Sequence, residues 1–321
     1  MSAALNVVQS EPIVSARPHL SYSGMKDLWV SPMRFWWKHL RPDREAEEPT
    51  PAMKFGSALH CKVLRPDDFD KEYCASFHPP EDALVSAEDI RKFIRSKMET
   101  PRGTLKASLI EQARALSPSV PIADELEASY YAAHGDKTVL SAEMMERVNR
   151  CADAVLACDA VRAALQGAKR EAWVERDIDG VLLAGSIDAM GEKVNLDLKT
   201  FTVPHGKTVE RAVVDAIWYE RYHWQAYVYS LMRATETKAW RGSHMLVFVE
   251  SEEPYEVRIR ILRDLNYGQP SMCWHRARVE CDALIALFRS CYERWGVEPW
   301  ADNATPQPLL DEDIPQLGYG G

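Results

Sequence analysis

The chain has 321 residues, of which 46% are hydrophobic and 27% are charged, and its formal net charge is −9. This composition excludes a mostly disordered chain. The chain also contains no apolar run of about 18 residues, which a membrane-spanning helix would require. The acidic balance argues against a protein that coats nucleic acid through bulk charge. It leaves open an enzyme that binds a phosphate backbone locally and holds a cation with carboxylates.

The seven cysteines predict free thiols rather than a disulfide framework. Their number is odd and no CxxC pair occurs. The N-terminus also lacks the basic region and apolar core of a secretory signal. We therefore expect buried thiols and a reducing, cytoplasmic location.

The N-terminal half is predicted to be helical after a flexible arm at residues 1–18. Ser86 and Asp89 form a capping-box-like start, with Asp in place of the usual Glu. Proline and glycine positions mark the helix boundaries. The predicted segments are helices around a turn at Ser31-Pro32 within 21–40, a helix over 53–65 that stops at Pro66, two helices within 86–116, and a helical pair within 124–166.

The pattern changes near residue 171 to the alternation typical of strands. A hairpin is predicted over 171–190 with its turn at Asp179-Gly180. Further segments follow in the order strand 193–201, long helix 208–234, strands 244–251 and 255–262, helix 272–296, and a tail over 301–321. This order predicts a mixed α/β core behind a helical N-terminal half.

The segment with the clearest chemistry is the strand KVNLDLKT. Alternation places Asn195, Asp197 and Lys199 on one face, opposite the apolar residues of the strand. A tight hairpin would bring Asp188, at the end of the preceding strand, beside Asp197. Two carboxylates and an ammonium suit metal-assisted hydrolysis of a phosphodiester. The competing interpretation is a solvated strand face with an ordinary ion pair.

Two helices carry further candidates. In FGSALH, Gly56 would allow close approach of another backbone, and His60 could supply an imidazole ligand, although a lone histidine of this kind is more often a core or surface residue. Helical spacing places Gln225 and Tyr229 on one face. Most of that aromatic stripe is expected to pack on the sheet, whereas a buried amide such as Gln225 needs polar partners.

Taken in order, these motifs resemble the PD-(D/E)XK nucleases. The likeness is greatest to phage and prophage exonucleases similar to exodeoxyribonuclease VIII (RecE), within the RecB-like group. It spans about residues 20–260. The matching elements are Ser21, Ser23, Met25-Lys26, Leu28, Ser31-Pro32 and Phe35; Gly56, Ser57 and His60; Gly185-Ser186-Ile187-Asp188; Asp197-Leu198-Lys199-Thr200; and Gln225 with Tyr229.

The resemblance implies a restriction-endonuclease-like core, a mixed central sheet flanked by helices, with a role for each matched position. His60, Asp188, Asp197 and the Leu198 carbonyl would hold Mg²⁺ or Mn²⁺. Lys199 would be the catalytic lysine, and Glu171 the upstream acidic residue, with Glu175 its rival. Gln225 and Tyr229 would support the site. The cysteines of iron–sulfur relatives are absent, so no cluster is expected.

The resemblance and the local charge also suggest DNA contacts. Residues 17–44 and 91–106 are rich in Lys and Arg, and tryptophans interleave with the first stretch. The alternative is that both are solvated helix faces. The second stretch faintly resembles a SAP-like helix–loop–helix module. The residues expected to contact DNA are Ser21, Ser23, Lys26, Arg34, Lys38, Thr200 and Tyr222.

We therefore expect a single nuclease domain over 19–300, with a helical insertion at about 82–135. Its expected activity is metal-dependent exonuclease action on linear duplex ends, 5′ to 3′, that feeds a RecT-like single-strand annealing partner. A homo-oligomer is plausible by resemblance, and no membrane partner is expected. The alternatives are a RecB-like endonuclease in repair or defence, and a catalytically silent DNA-binding module.

Overall fold

The computed structural model describes residues 18–44, 48–234, 240, 242–263 and 272–301. These residues divide into two compact units. The first unit contains the segments up to Pro49, Cys158–Glu250, and from Glu256 onward, and the second contains Thr50–Ala157 with Ser251–Tyr255. The predicted arm before residue 18 and the predicted tail after residue 301 lie outside the described residues. The predicted insertion at 82–135 falls within the second unit.

The described chain contains the following helices and strands. The helices are α1 (Tyr22–Val30), α2 (Pro32–Phe35), which continues into a π-helix (Trp36–Leu40), α3 (Pro51–Leu64), α4 (Pro66–Glu72), α5 (Ala87–Ser96), α6 (Lys106–Leu116), α7 (Ala123–Ala133), α8 (Ala142–Ala157), α9 (Asp159–Leu165), α10 (Val209–Tyr219), α11 (Tyr222–Arg233) and α12 (Met272–Trp295). The strands are β1 (Tyr73–Ala75), β2 (Thr138–Leu140), β3 (Lys169–Ile178), β4 (Val181–Met190), β5 (Val194–Phe201), β6 (Ser243–Glu250) and β7 (Val257–Arg263).

The first unit is built on a mixed sheet with strand order β3-β4-β5-β6-β7. Neighbouring strands are antiparallel except β5 and β6, which are parallel and are connected through α10 and α11. A helical crossover is the usual connection between parallel strands. The predicted hairpin is confirmed, and its turn has positive φ at Asp179 and Gly180, as a two-residue type I′ turn requires.

β4 and β5 form a fork. They pair only at Ala189–Leu196 and Met190–Asn195, and beyond this point the ladder stops. The free edge of β4 is used instead by Leu20, whose N–H donates to the Leu182 carbonyl at 2.8 Å. The part of β4 that precedes Ala189 and does not pair with β5 is called the open arm of the fork. α1 therefore begins next to this open arm.

The core of the first unit lies between the sheet and helices α1, α11 and α12. Trp224 of α11 and Phe288 of α12 are buried together with Met25 of α1 and Leu183 of β4. A second cluster joins α10 to β5 and β6. The six inner residues of β6 are all buried, as expected for a strand covered on both faces.

In the second unit, α5 and α6 form a helical pair around a small apolar core. Ile90, Ile94 and Leu109 are fully buried in it. The predicted capping box is confirmed, because Ser86 Oγ accepts from the Asp89 N–H while Asp89 accepts from the Ser86 N–H. β1 and β2 form a short parallel pair elsewhere in this unit.

Several predicted boundaries are wrong. The long helix over 208–234 is two helices, because Arg221 adopts a left-handed conformation (φ 60°) that ends the helical hydrogen bonding. Pro66 ends one helix but also begins α4, where the missing proline N–H costs nothing. The segment 124–166 contains three helices and β2. A Cβ added at Gly56 would meet no atom within 4 Å, so no close backbone approach explains this glycine.

All seven cysteines are free thiols, five of them buried, as predicted. Within the described residues, no helix is long and apolar enough to cross a membrane.

Candidate active site

Asp188, Asp197 and Lys199 meet where the β4–β5 fork opens. Asp188 Oδ2 accepts a hydrogen bond from the Leu198 N–H at 2.8 Å, so a side chain replaces the backbone pairing that the fork has lost. Lys199 Nζ lies 2.7 Å from Asp197 Oδ2. The sequence-predicted trio is thus held together by the divergence of two strands.

Asp197 is buried inside the unit rather than set on an open strand face. Its side chain is 1% exposed, because β5 lies between β4 and β6 and is covered by helices. The competing interpretation of a solvated strand face is therefore wrong. A buried carboxylate requires compensation by hydrogen bonds and an opposite charge, and both are present here.

A hydrogen-bonded chain from α11 fixes the carboxylate. Gln225 Nε2 donates to Asp197 Oδ1 at 2.7 Å and lies 3.2 Å from the Tyr229 hydroxyl. Tyr229 in turn donates to the Ser186 carbonyl of β4 at 2.6 Å. The chain joins β5, α11 and β4, so these two side chains position the carboxylate between the arms of the fork.

Lys199 is held in its charged form. Burial opposes the charge, but the neighbouring carboxylates of Asp197 and Asp188 outweigh it and raise the pKa of Lys199 above its ordinary value. The ammonium also lies 4.9 Å from the ring centroid of Tyr222, an additional favourable contact. A permanently charged lysine supplies electrostatic stabilisation and does not act as a proton acceptor at neutral pH.

The donor set of the fork fits a hard divalent cation. Asp197 Oδ2 is buried, and its ion pair with Lys199 at 2.7 Å leaves a lone pair of this oxygen for another partner. Among the described residues, no three His, Cys, Asp or Glu side chains are grouped so as to hold a metal. Mg²⁺ is commonly bound through one or two carboxylates, with water and substrate phosphate completing its shell.

The two rivals for the upstream acidic position occupy different places on β3. Glu171 stands between Arg170 and Ala172, whose partners on β4 are Ala189 and Ile187, and it has a positive φ of 45°. Glu175 lies across from Ala184, farther along the open arm. The choice of Glu171 over Glu175 as the upstream acidic residue stays a prediction.

His60 belongs to α3 of the second unit, where it is half-buried. Its proposed place among the metal ligands stays a prediction. The same holds for the Leu198 carbonyl, whose residue stands between Asp197 and Lys199.

The expected DNA-binding residues are distributed around α1 and the start of α11. Ser21 is the N-cap of α1, and its Oγ accepts from the Gly24 N–H and lies 3.0 Å from Ser23 Oγ. Lys26 pairs with Glu220 at 2.8 Å. These three side chains thus have structural partners, and their contact with DNA stays a prediction.

Arg34 and Lys38 both pair with Asp27, at 3.2 and 3.3 Å. The two cations outnumber the one carboxylate that they share. Thr200 is half-buried on β5, while Tyr222 begins α11 beneath the Lys199 ammonium. Their roles in binding DNA remain predictions as well.

The sequence interpretation missed His244 and gave no role to Asn195, and both are buried polar residues beside the site. They are partners in the β5–β6 register. His244 packs edge-on against the Tyr229 ring, with centroids 5.8 Å apart, and neither of its nitrogens has a hydrogen-bond partner. Burial lowers the pKa of His244 to about 4. The run HMLVFVES gave no signal that its histidine would lie against the site.

The mixed sheet with its flanking helices, and an Asp–Asp–Lys group at a strand fork, define a PD-(D/E)XK nuclease-type domain. The chain belongs to the family described as "PDDEXK-like domain of unknown function (DUF3799)", whose model matches residues 21–269. The predicted superfamily and fold class are therefore confirmed.

A solved structure from Eubacterium rectale, described as a "Putative exonuclease", is similar over 97% of this chain and 98% of that one. The TM-score is 0.50 and the sequence identity is 14%, so the likeness establishes the fold alone. Among curated proteins, no match was found.

Proposed function

We propose that this protein is a divalent-metal-dependent DNA exonuclease that hydrolyses phosphodiester bonds from the ends of linear duplexes, 5′ to 3′. The observation that carries the proposal is the buried Asp188–Asp197–Lys199 group, fixed at the strand fork by Gln225 and Tyr229. Two carboxylates beside the charged Lys199 ammonium suit the binding of a metal and an anionic phosphodiester at the same point.

Each residue of the candidate site has its own role in the proposed reaction. Asp188 and Asp197 would hold Mg²⁺ or Mn²⁺, together with the Leu198 carbonyl, and the bound ion would lower the pKa of a water molecule and neutralise phosphate charge. Lys199 would stabilise negative charge that develops on the scissile phosphate. Gln225 and Tyr229 are positioning residues, because they reach the phosphodiester only through Asp197 and β4.

The catalytic assignment is tested with Asp197→Asn and Lys199→Met on end-labelled linear duplex in Mg²⁺. Each variant should lose activity by two orders of magnitude or more, because a preorganised charge is removed at the reacting phosphate. Lys193→Met is the matched control, since Lys193 is exposed just before β5. If Asp197→Asn keeps wild-type activity, the proposed site is wrong.

Exonuclease action is distinguished from endonuclease action by closed circular DNA. We expect linear duplex to be degraded and covalently closed circles to be spared. Duplexes with a 5′ phosphate or a 5′ hydroxyl, each labelled at either end, report polarity. Cleavage of the circle at a comparable rate would favour the RecB-like endonuclease alternative.

If no variant or substrate shows hydrolysis while duplex ends are bound, the silent DNA-binding module would be supported instead. We further propose, on the sequence resemblance alone, that the single strand produced is passed to an annealing protein. Copurification of such a partner and the mass of the protein in solution would test this and the predicted homo-oligomer.

A further inference from the structure

We propose that α1, α2 and the π-helix carry a stacking platform for an unpaired DNA strand, formed by Trp29 and Trp37 and bordered by arginines. This inference rests on the proposed function, because the unpaired strand that would bind the platform is the product of the proposed exonuclease. The sequence suggested DNA contacts in this region through Lys26, Arg34 and Lys38. The sequence also placed tryptophans among these cations, and the structure singles out Trp29 and Trp37 as the exposed ones.

The two tryptophans are exposed although they belong to a unit with a large core. Trp29 is 50% exposed and Trp37 is 55% exposed, and Met33 between them is also exposed. Most tryptophans are largely buried. Large exposed apolar side chains with a polar border are a common mark of an interaction surface.

Each ring is held on one side by a protein group, which fixes its orientation. The Arg41 guanidinium lies 3.8 Å from the centroid of the Trp37 ring. Arg221 lies 5.4 Å from the Trp29 ring, which also packs edge-on against Trp224 at 5.5 Å. A ring ordered in this way loses little conformational entropy when a base stacks on it.

The charge around the rings matches a polyanion. Within residues 22–44 and 220–221, six Lys or Arg side chains stand against three carboxylates, in a chain whose overall charge is −9. Asp27 binds Arg34, Lys38 and His39 together, and so ties α1 to α2 and the π-helix. One carboxylate orders several cations beside the rings without cancelling their charge.

The Trp29 side of the platform is linked to the active site through α11. Arg221, which covers Trp29, is followed directly by Tyr222, whose ring lies under the Lys199 ammonium. Its left-handed φ of 60° is an uncommon conformation for arginine and turns the chain between α10 and α11 at this point. Trp37 lies in a π-helix, a conformation that occurs frequently at functional sites.

Single-stranded DNA fits this surface better than duplex, because only unpaired bases expose faces for stacking. Aromatic stacking is tolerant of base identity, and arginine adds cation–π contacts. A protein partner could cover the same apolar surface. It would not explain the excess of cations beside the rings, and it is treated as an outcome of the test.

The test measures binding of a fluorescein-labelled 20-mer of dT by anisotropy, in EDTA so that no hydrolysis occurs. The same oligonucleotide with abasic sites throughout is the second probe. Wild type should bind dT at least tenfold more tightly than the abasic strand. Trp29→Ala and Trp37→Ala should each weaken dT binding about tenfold or more and leave abasic binding unchanged.

Three controls separate stacking from loss of fold or charge. Trp37→Phe should restore most of the dT affinity. Met98→Ala, at a 95% exposed apolar residue of the second unit, should change nothing. The double variant Arg34→Ala with Lys38→Ala should weaken the binding of both the dT and the abasic strand, and should flatten the salt dependence of binding.

Equal wild-type affinity for dT and abasic strands would overturn the proposal, as would unchanged dT binding by both tryptophan variants. No binding of either strand would point instead to a protein partner on this surface. Because binding is measured without metal, the outcome is independent of catalysis. Base-dependent binding in a protein that hydrolyses no DNA would leave the platform standing and reject the proposed nuclease.

Discussion

His244 makes the stability of this protein depend on pH in a way that can be worked out from the structure. The imidazole is buried, and neither nitrogen has a hydrogen-bond partner. Burial is the main reason that its pKa falls from 6.5 to about 4. The Lys199 charge acts in the same direction and the Asp197 charge opposes it. The folded state therefore keeps a neutral ring under conditions in which the unfolded chain binds a proton.

The direction in which the free energy of unfolding changes with pH follows from the linkage between proton binding and folding. Well above pH 6.5 the ring is neutral in both states, and His244 adds no pH dependence. As the pH falls from 6.5 toward 4, only the unfolded state takes up the proton, so the free energy of unfolding decreases. At pH 5 the loss from this residue is about 2 kcal/mol, since each pKa unit of difference corresponds to about 1.4 kcal/mol.

The perturbation is His244→Leu, which removes the titrating ring and keeps a side chain of similar size. Urea unfolding in EDTA would be followed at pH 7.5 and pH 5 for wild type and variant. The wild type should lose about 2 kcal/mol more than the variant between the two pH values. His205→Leu is the matched control, because His205 is exposed. An equal pH-dependent loss in wild type and His244→Leu would refute the reasoning.

Three further substitutions test the packing around the site and the second unit by urea unfolding at pH 7.5. Gly24→Ala should cost about 1–3 kcal/mol, because the new Cβ would lie 2.9 Å from the buried Phe35 ring; a neutral result would show that the ring can move. Tyr229→Phe should cost a similar amount by leaving the Ser186 carbonyl without its donor, and an unchanged midpoint would mean that another donor replaces it. Ser86→Ala should cost about 1 kcal/mol through loss of the α5 cap, whereas Ser86→Thr should be nearly neutral; equal losses would contradict the capping explanation.

Local signals in the sequence were sufficient for much of the fold. The Asp179-Gly180 turn supplies the positive φ angles that the hairpin needs, and the Ser86–Asp89 box satisfies backbone groups within one helical turn. These features depend on residues a few positions apart, so neighbouring letters encode them. The order of the motifs along the chain likewise indicates the PD-(D/E)XK superfamily without three-dimensional information.

Other boundaries could not be predicted because distant contacts override local preference. No glycine or proline marks the break at Arg221, where a left-handed arginine stacks over Trp29 and Trp224. Helical periodicity simply continued through this position. Pro66 shows the opposite case, since the same residue that ends one helix begins the next.

The sequence by itself determined which residues are the candidates for the chemistry: Asp188, Asp197 and Lys199 stand at fixed spacings around a hairpin, and alternation along one strand places the last two on one side. Only the tertiary structure decided their environment. The early end of the β4–β5 ladder, the burial of Asp197 and its hydrogen bond from Gln225 all arise from contacts between segments far apart in the chain. His244 shows the same limit, because burial by a neighbouring helix, and not any local pattern, places it against Tyr229.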